Sequence, residues 1–340
     1  MLMNGNNGQQ NLETKNQEKQ QPQSGFALLT VLLVVALVSM VSSQLLYDQQ
    51  VHIQRSTYMI HQAHSMSVAY GFEGWVKKGL MADLKNNKTD NLNEQWAQPL
   101  APIPFAQGTV SGRLLDLQAR FNVNNVLEKD AKVRVFWKKM LERYLAIRLP
   151  AENFAGFGDV LQDWVDADDD IQDSGAESQS YLLNEPAYRA ANEPMVMPSE
   201  LQKLQGMEKM SARNLATIES DLTALPEITT INVNTADSTI LMSLADWLTE
   251  DIVKQWIEHR KTEPAEDVHT FLAFLVESTG FGLAEIETDI PSQVLDVKSD
   301  YFLLQAEVDY GDVKQIVSSI FNRKSEKEVI LVQRWLSVGS

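Results

Sequence analysis

Eight carboxylates crowd a short stretch of this chain: Asp159, Asp163, Asp166, Asp168, Asp169, Asp170, Asp173 and Glu177. No Lys or Arg lies between Arg148 and Arg189 to offset them. Carboxylates this dense repel one another, so a compact fold here calls for a bound cation. Hard divalent ions with oxygen ligands suit it, and calcium suits it best because it accepts several carboxylates in loose geometry. Counted from Asp166 as position one, acids fall at positions three (Asp168), five (Asp170) and twelve (Glu177), with Ser174 at nine. Position six of an EF-hand loop is glycine, and here it is Ile171. The flank SQSYLLNEPAYR contains Pro186 and makes a poor exit helix. The ligand spacing is present without the EF-hand. The candidate ligands are Asp166, Asp168, Asp170 and Glu177, with Asp163, Asp169 and Asp173 as further candidates. On composition alone, a solvated acidic loop is an equal alternative.

Other chemistry is sparse. His61 and His64, three residues apart, could form half a metal site, but an exposed helix face is the simpler expectation. The sequence holds no P-loop, no G-x-S-x-G and no H-E-x-x-H, so no enzyme is expected. The absence of cysteine excludes disulfides and thiolate sites. A formal net charge of −17 on 340 residues repels phosphate. The segment 229–275 resembles helix-hairpin-helix modules of DNA-binding proteins. Its hairpin reads ADWLTED, with Asp246, Glu250 and Asp251 where phosphate-holding glycines belong. A packing role is expected for Ile240, Leu241, Leu244, Trp247, Ile252 and Trp256, and no nucleic-acid partner.

The elements that would position the acidic loop follow from apolar periodicity. The first 25 residues are polar and rich in Asn and Gln, too poor in apolar groups to order themselves. Between Lys19 and Asp48 no residue is charged. A helix over Phe26–Tyr47 would match a bilayer core of about 30 Å. A buried core helix is a weaker reading, and so is a cleaved secretory signal with Ala36–Ser43 imitating its cleavage site, because such a signal has a basic leader and this one is not basic. The helical pattern continues without proline to residue 84. Residues 85–107 read as loop, and 108–126 as a hairpin turning or bulging at Gly112. Residues 132–290 carry mostly helical spacings. DYFLLQAEVDY, DVKQIVSSIFNR and EVILVQRWLSV alternate as strands.

At this point a resemblance becomes specific. A polar leader ending in Gly25, then Phe26 and a long apolar helix, resembles the class III leader of type IV pilins and type II secretion pseudopilins. The fifth residue after the glycine, normally Glu in that family, is Thr30. That exception, together with DLQARFNVNN and DWVDADDD…GAE…YRAANEP, resembles the minor pseudopilin K family of type II secretion. The resemblance implies cleavage by a prepilin peptidase between Gly25 and Phe26 and N-methylation of Phe26. It also implies structural calcium in the acidic segment. Thr30 would be a neutral position suited to a filament tip, with no carboxylate left unpaired in the bilayer.

The expected fold class is α+β. A pilin-like domain with a long N-terminal spine helix and a C-terminal antiparallel sheet is interrupted by a large helical insertion, part of it SAM- or helix-hairpin-helix-like. The expected divisions are leader 1–25, transmembrane helix 26–47, pilin-like part 48–126, insertion 127–292 and closing strands 293–340. The implied partners are minor pseudopilins I and J, the other pseudopilins of the filament and the prepilin peptidase. The implied location is the inner membrane, single-pass, with the N-terminus cytoplasmic and the globular part periplasmic. The implied role is to initiate pseudopilus assembly at its tip for export of folded proteins. A tip minor pilin of a type IV pilus or competence system is the alternative.

Overall fold

The computed structural model describes residues 24–208 and 210–338. The leader expected over 1–25 lies outside the described residues as far as position 23. The chain divides into two units, residues 1–60 and 61–340, and helix α1 (Ser24–Asn86) contributes to both.

In the first unit, α1 runs without a single Gly or Pro from Phe26 to Ile60. Its residues are exposed apart from Val51, and it is long and apolar enough to cross a membrane. Over Phe26–Tyr47 Leu, Val and Ala surround the helix, leaving no polar face that would hold it at a water boundary.

The second unit begins at His61. After α1 come β1 (Leu100–Phe105), β2 (Gly108–Asp116), β3 (Phe121–Asn122), α2 (Ala131–Arg148), α3 (Phe157–Val165), α4 (Ser178–Tyr181) and α5 (Ala212–Glu219). Then follow β4 (Leu222–Thr223), β5 (Ile231–Asn232), α6 (Ser238–Ser243), α7 (Glu250–Thr262), α8 (Val268–Thr279) and α9 (Leu283–Asp289). The chain closes with β6 (Leu295–Asp296), β7 (Tyr301–Tyr310), β8 (Val313–Ser325) and β9 (Glu328–Val338).

The main sheet has the order β1-β2-β7-β8-β9, antiparallel throughout. β2 pairs with β7 over its full length, from Gly108↔Tyr310 to Asp116↔Phe302. Residues 117–300 are therefore an excursion between two neighbouring strands. It is closed at its base where Leu117 N donates to Tyr301 O at 2.9 Å. Ala69, Phe72, Val76 and Leu80 of α1 pack against Val110, Leu114, Phe302, Leu304, Val308 and Phe321. Glu73, buried on α1, accepts from Arg334 Nε (2.8 Å) and from Ser319 Oγ (2.6 Å), pinning the helix to β8 and β9. The insertion ends of β2 and β7 lie by the last turns of α1, where Asp83 meets Arg323 and Arg323 N donates to Asp300 O. The opposite sheet end lies at His61, against Gly311.

Of the two alternatives at Gly112, a turn or a bulge, the second holds: Gly112 lies inside β2, and the β1–β2 register shifts beside it, between Leu100↔Gly112 and Ile103↔Val110. A Cβ there would meet Gln305 O at 2.9 Å and Phe72 at 3.0 Å. One expectation needs correction. The hairpin turn lies earlier, at 106–107, and residues 100–105, read as loop, form β1. Pro102 and Pro104 hid it, yet proline is tolerated on an edge strand, where one N–H side needs no partner.

The insertion has its own core around α2, with Phe136, Trp137, Met140, Leu141, Tyr144 and Leu145 buried. Buried asparagines close its loops. Asn124 Nδ2 donates to Met195 O (2.9 Å) and Leu225 O (2.8 Å), and Asn234 exchanges two hydrogen bonds with Ala265. In the hairpin-like segment Ile240, Leu241, Leu244 and Trp256 are buried, while Trp247 and Ile252 are half-buried against the same core. Asp246, exposed, pairs with Arg143 Nε at 2.8 Å, which ties the hairpin-like segment to α2.

Candidate metal centre

α3 is an amphipathic helix started by Gly156, which takes the left-handed φ of 81°. Its apolar face, Val160, Leu161, Trp164 and Val165, docks on the insertion core. The same burial carries Asp163 inside. Both its oxygens accept from Gln172 N, at 3.1 and 3.3 Å, which folds the acidic loop back over the helix. Gly175 lies against this carboxylate so closely that a Cβ would overlap Asp163 Oδ2. A second fold-back is made by Asp159, which pairs with Lys138 (2.8 Å) and accepts from Ser174 N (3.1 Å).

Around this frame Asp166, Asp168 and Glu177 converge, each offering an oxygen within 4.8 Å of the others. Asp168 Oδ1 accepts from Asp170 N at 3.0 Å. Asp166 Oδ2 accepts from Gln162 Nε2 at 3.1 Å, while its Oδ1 is buried without a partner. Glu177 is 1% exposed, and its Oε1 is also buried without a partner. Asn192 reaches in from beyond α4, donating through Nδ2 to Asp168 O (3.2 Å) and to Asp169 Oδ1 (3.4 Å).

Burial pushes the Glu177 carboxyl up to about 7, and the charges of Asp163, Asp166 and Asp169 add to it. Asp163 is pushed up to about 6, chiefly by burial and then by Asp166 and Asp159. Asp166 is raised by burial and by Asp168. The site is therefore a partly dry, hard-oxygen basin that resists holding all its negative charge alone. Residues of this kind fit calcium: three carboxylates converge, and two buried carboxylate oxygens have no donor.

Asp166, Asp168 and Glu177 are thus brought together as the spacing suggests. Asp170 is not: its side chain is exposed, and it contributes only its N–H to Asp168. Its expected place rested on spacing alone, and the chain turns its side chain to solvent. Asp169 is exposed and meets Asn192, Asp173 is exposed, and Asp163 shapes the loop from beneath. Asn192 and Gly175 were missed. Both lie within the strings GAE and YRAANEP that carry the resemblance, but no spacing shows that Asn192 reaches across the fold. His64 is exposed, as expected of a helix face, while His61 is half-buried. His64 stacks on Tyr310, and half-buried His61 packs edge-on to the same ring.

In the first unit, Gly25 lies in the opening turn of α1, and Phe26 is exposed. Thr30 Oγ1 donates to Ala27 O at 2.9 Å, so its hydroxyl is satisfied within its own helix.

Comparison with known proteins agrees with this architecture. Residues 119–227 and 231–297 match the two family models described as type II secretion system (T2SS), protein K. The type II secretion system protein K of Pseudomonas aeruginosa is 31% identical over 326 residues, covering 93% of this chain and 94% of that protein. That of Aeromonas hydrophila is 28% identical over 338 residues, covering 92% and 96%. A chain in the crystal structure of the GspK-GspI-GspJ complex from enterotoxigenic Escherichia coli superposes with a TM-score of 0.71. It is 24% identical, and the match covers 84% of this chain and 100% of that one. The fold, the two matched segments and the near full-length similarity agree: this chain belongs to the type II secretion system protein K family.

Proposed function

We propose that this chain is the minor pseudopilin that caps the tip of the type II secretion pseudopilus and helps to start its assembly. One observation carries the reading. The excursion 117–300 leaves and re-enters the sheet at the end where α1 finishes, opposite His61. With α1 anchored in the inner membrane, its N-terminus cytoplasmic and the second unit periplasmic, this bulk occupies the end of the second unit remote from His61, where the chain enters it. A further subunit stacked above would meet the insertion instead of a free helix. Thr30 supports the same reading, because its hydroxyl is bonded to Ala27 O and adds no intramembrane charge for a neighbour to neutralise.

In this account a prepilin peptidase cleaves between Gly25 and Phe26 and methylates Phe26. The partners are minor pseudopilins I and J, by analogy with the solved GspK-GspI-GspJ complex, together with the other pseudopilins of the filament. Asp166, Asp168 and Glu177 hold a structural calcium ion, which would neutralise the basin and fix the loop against α3. No catalytic group is assigned. Co-expression with pseudopilins I and J tests the assembly. A ternary complex that survives size-exclusion chromatography is expected, and separate elution of all three chains would contradict it.

A further inference from the structure

A second group of carboxylates lies outside the acidic loop, where α1 ends. Asp83 is on the last turns of α1, Asp90 is in the loop that follows, and Glu94 opens the short 3-10 turn Gln95–Ala97. The three residues are brought together by the chain reversal after Asn86. Each offers an oxygen within 4.8 Å of the others.

Their hydrogen bonds leave one oxygen over. Asp83 Oδ2 accepts from Arg323 Nη1 (2.8 Å), and its Oδ1 accepts from Asn87 Nδ2 (2.7 Å). Glu94 Oε1 accepts from Asn91 Nδ2 (2.6 Å), and Oε2 from the Trp96 indole (2.8 Å). Asp90 is 1% exposed, and its Oδ2 accepts from Arg323 Nη2 and from Ser299 N (2.8 Å). Its Oδ1 is buried with no hydrogen-bond partner. A buried carboxylate oxygen without a donor is costly and calls for an explanation. The charge count points the same way. Three carboxylates face the single guanidinium of Arg323, which leaves two negative charges.

We propose that Asp83, Asp90 and Glu94 form a divalent-cation site, distinct from the acidic loop, whose hard-oxygen ligands suit calcium. A divalent ion would cancel the two remaining charges and give Asp90 Oδ1 its partner. A cleft of about 370 Å³ lined by Asp83, Asn86, Asn87, Gln95 and Trp96 gives access and carries side-chain amide oxygens. Calcium takes six to eight oxygen ligands and tolerates such mixed sets.

The placement gives the ion a structural consequence. Asp90 N donates to Val297 O (2.8 Å), and Asp90 O accepts from Asn232 Nδ2 (3.1 Å). Asn232 also donates to Asp116 Oδ2 (3.1 Å), at the end of β2. The cation would thus fasten the end of the spine helix, the base of the insertion and β8 at one point.

Calcium binding to the full-length chain in detergent micelles, measured by equilibrium dialysis at pH 7.5, tests the site. Glu94→Gln keeps the side-chain volume and leaves the Arg323 pairs untouched. The expected result is loss of one bound calcium per chain in Glu94→Gln, with that same ion retained in Asp168→Asn. Unchanged stoichiometry in Glu94→Gln would overturn the proposal, as would one ion lost equally by both variants. Should Glu94→Gln fail to fold, terbium gives an independent measurement through Trp96→Phe. Sensitised terbium emission of an Asp168→Asn chain should fall on adding Trp96→Phe, and unchanged emission would overturn the site.

Discussion

Glu177→Gln should make the protein more stable without calcium and less stable with it. In the wild type without metal, the Glu177 carboxylate is buried with Oε1 lacking any donor. An unsatisfied buried group of this kind costs about 1–3 kcal/mol. The neutral amide removes most of that cost. A unit of this size shifts its melting point by about 2 °C per kcal/mol, so the metal-free variant should melt roughly 2–6 °C higher. With calcium at about one hundred times its dissociation constant, the wild type gains about 2.7 kcal/mol by mass action, or roughly 5 °C. The variant, left with two of three converging carboxylates, should gain little of this. Differential scanning calorimetry at pH 7.5, in chelator and in millimolar calcium, would show the order of the two proteins reversing. A variant less stable than wild type by the same margin in both buffers would refute the reasoning. Glu177 would then be a packing residue whose loss is independent of any ion.

The same loop sets further expectations. Gly175→Ala should lower the melting point, because its Cβ would overlap Asp163 Oδ2. Overpacking of this kind costs about 1–3 kcal/mol, and a melting point equal to wild type would contradict the close approach. The carboxyls of Asp163 and Glu177 lie near 6 and 7, above the ordinary range near 4 that they regain on unfolding. The folded protein therefore binds more protons than the unfolded chain between about pH 4 and 7, and in chelator its stability should fall as pH rises through that window. Calcium needs the deprotonated forms, so the gap between calcium and chelator should widen from pH 5 to pH 8. An equal gap at both would argue against these ligands. In the membrane helix, Gly25→Val should block leader removal, read by mass spectrometry of the N-terminus, and a mature chain starting at Phe26 in that variant would contradict the assigned cleavage.

Much of the architecture was legible because it rests on short-range patterns. The uncharged run after Gly25 announces α1, and period-two alternation marks β7, β8 and β9. The unbroken acid run puts Asp166, Asp168 and Glu177 on one loop, and spacing alone suggested that they meet. What stayed hidden depends on contacts distant in sequence. Arg323 reads as an ordinary strand residue, yet it is buried against Asp83 and Asp90, more than two hundred residues earlier. Asn192 approaches Asp168 through the tertiary fold alone. β1 was lost for a different reason: LAPIPF carries two prolines, which an edge strand tolerates and a sequence pattern penalises. The two-residue parallel pairs β3–β4 and β5–β6 are too short for any period to register. Asp170 was placed among the ligands by spacing alone, and spacing does not show that its side chain turns to solvent.

The tip position is tested most directly by labelling assembled filaments. An epitope inserted after Gly206, on an exposed turn of the insertion, can be detected with gold-conjugated antibody on sheared pseudopili by electron microscopy. The account predicts gold at one end of each filament and bare shafts between. Gold distributed along the shafts would contradict it, because a subunit whose insertion fills the end of its second unit remote from His61 could not be buried repeatedly within the stack.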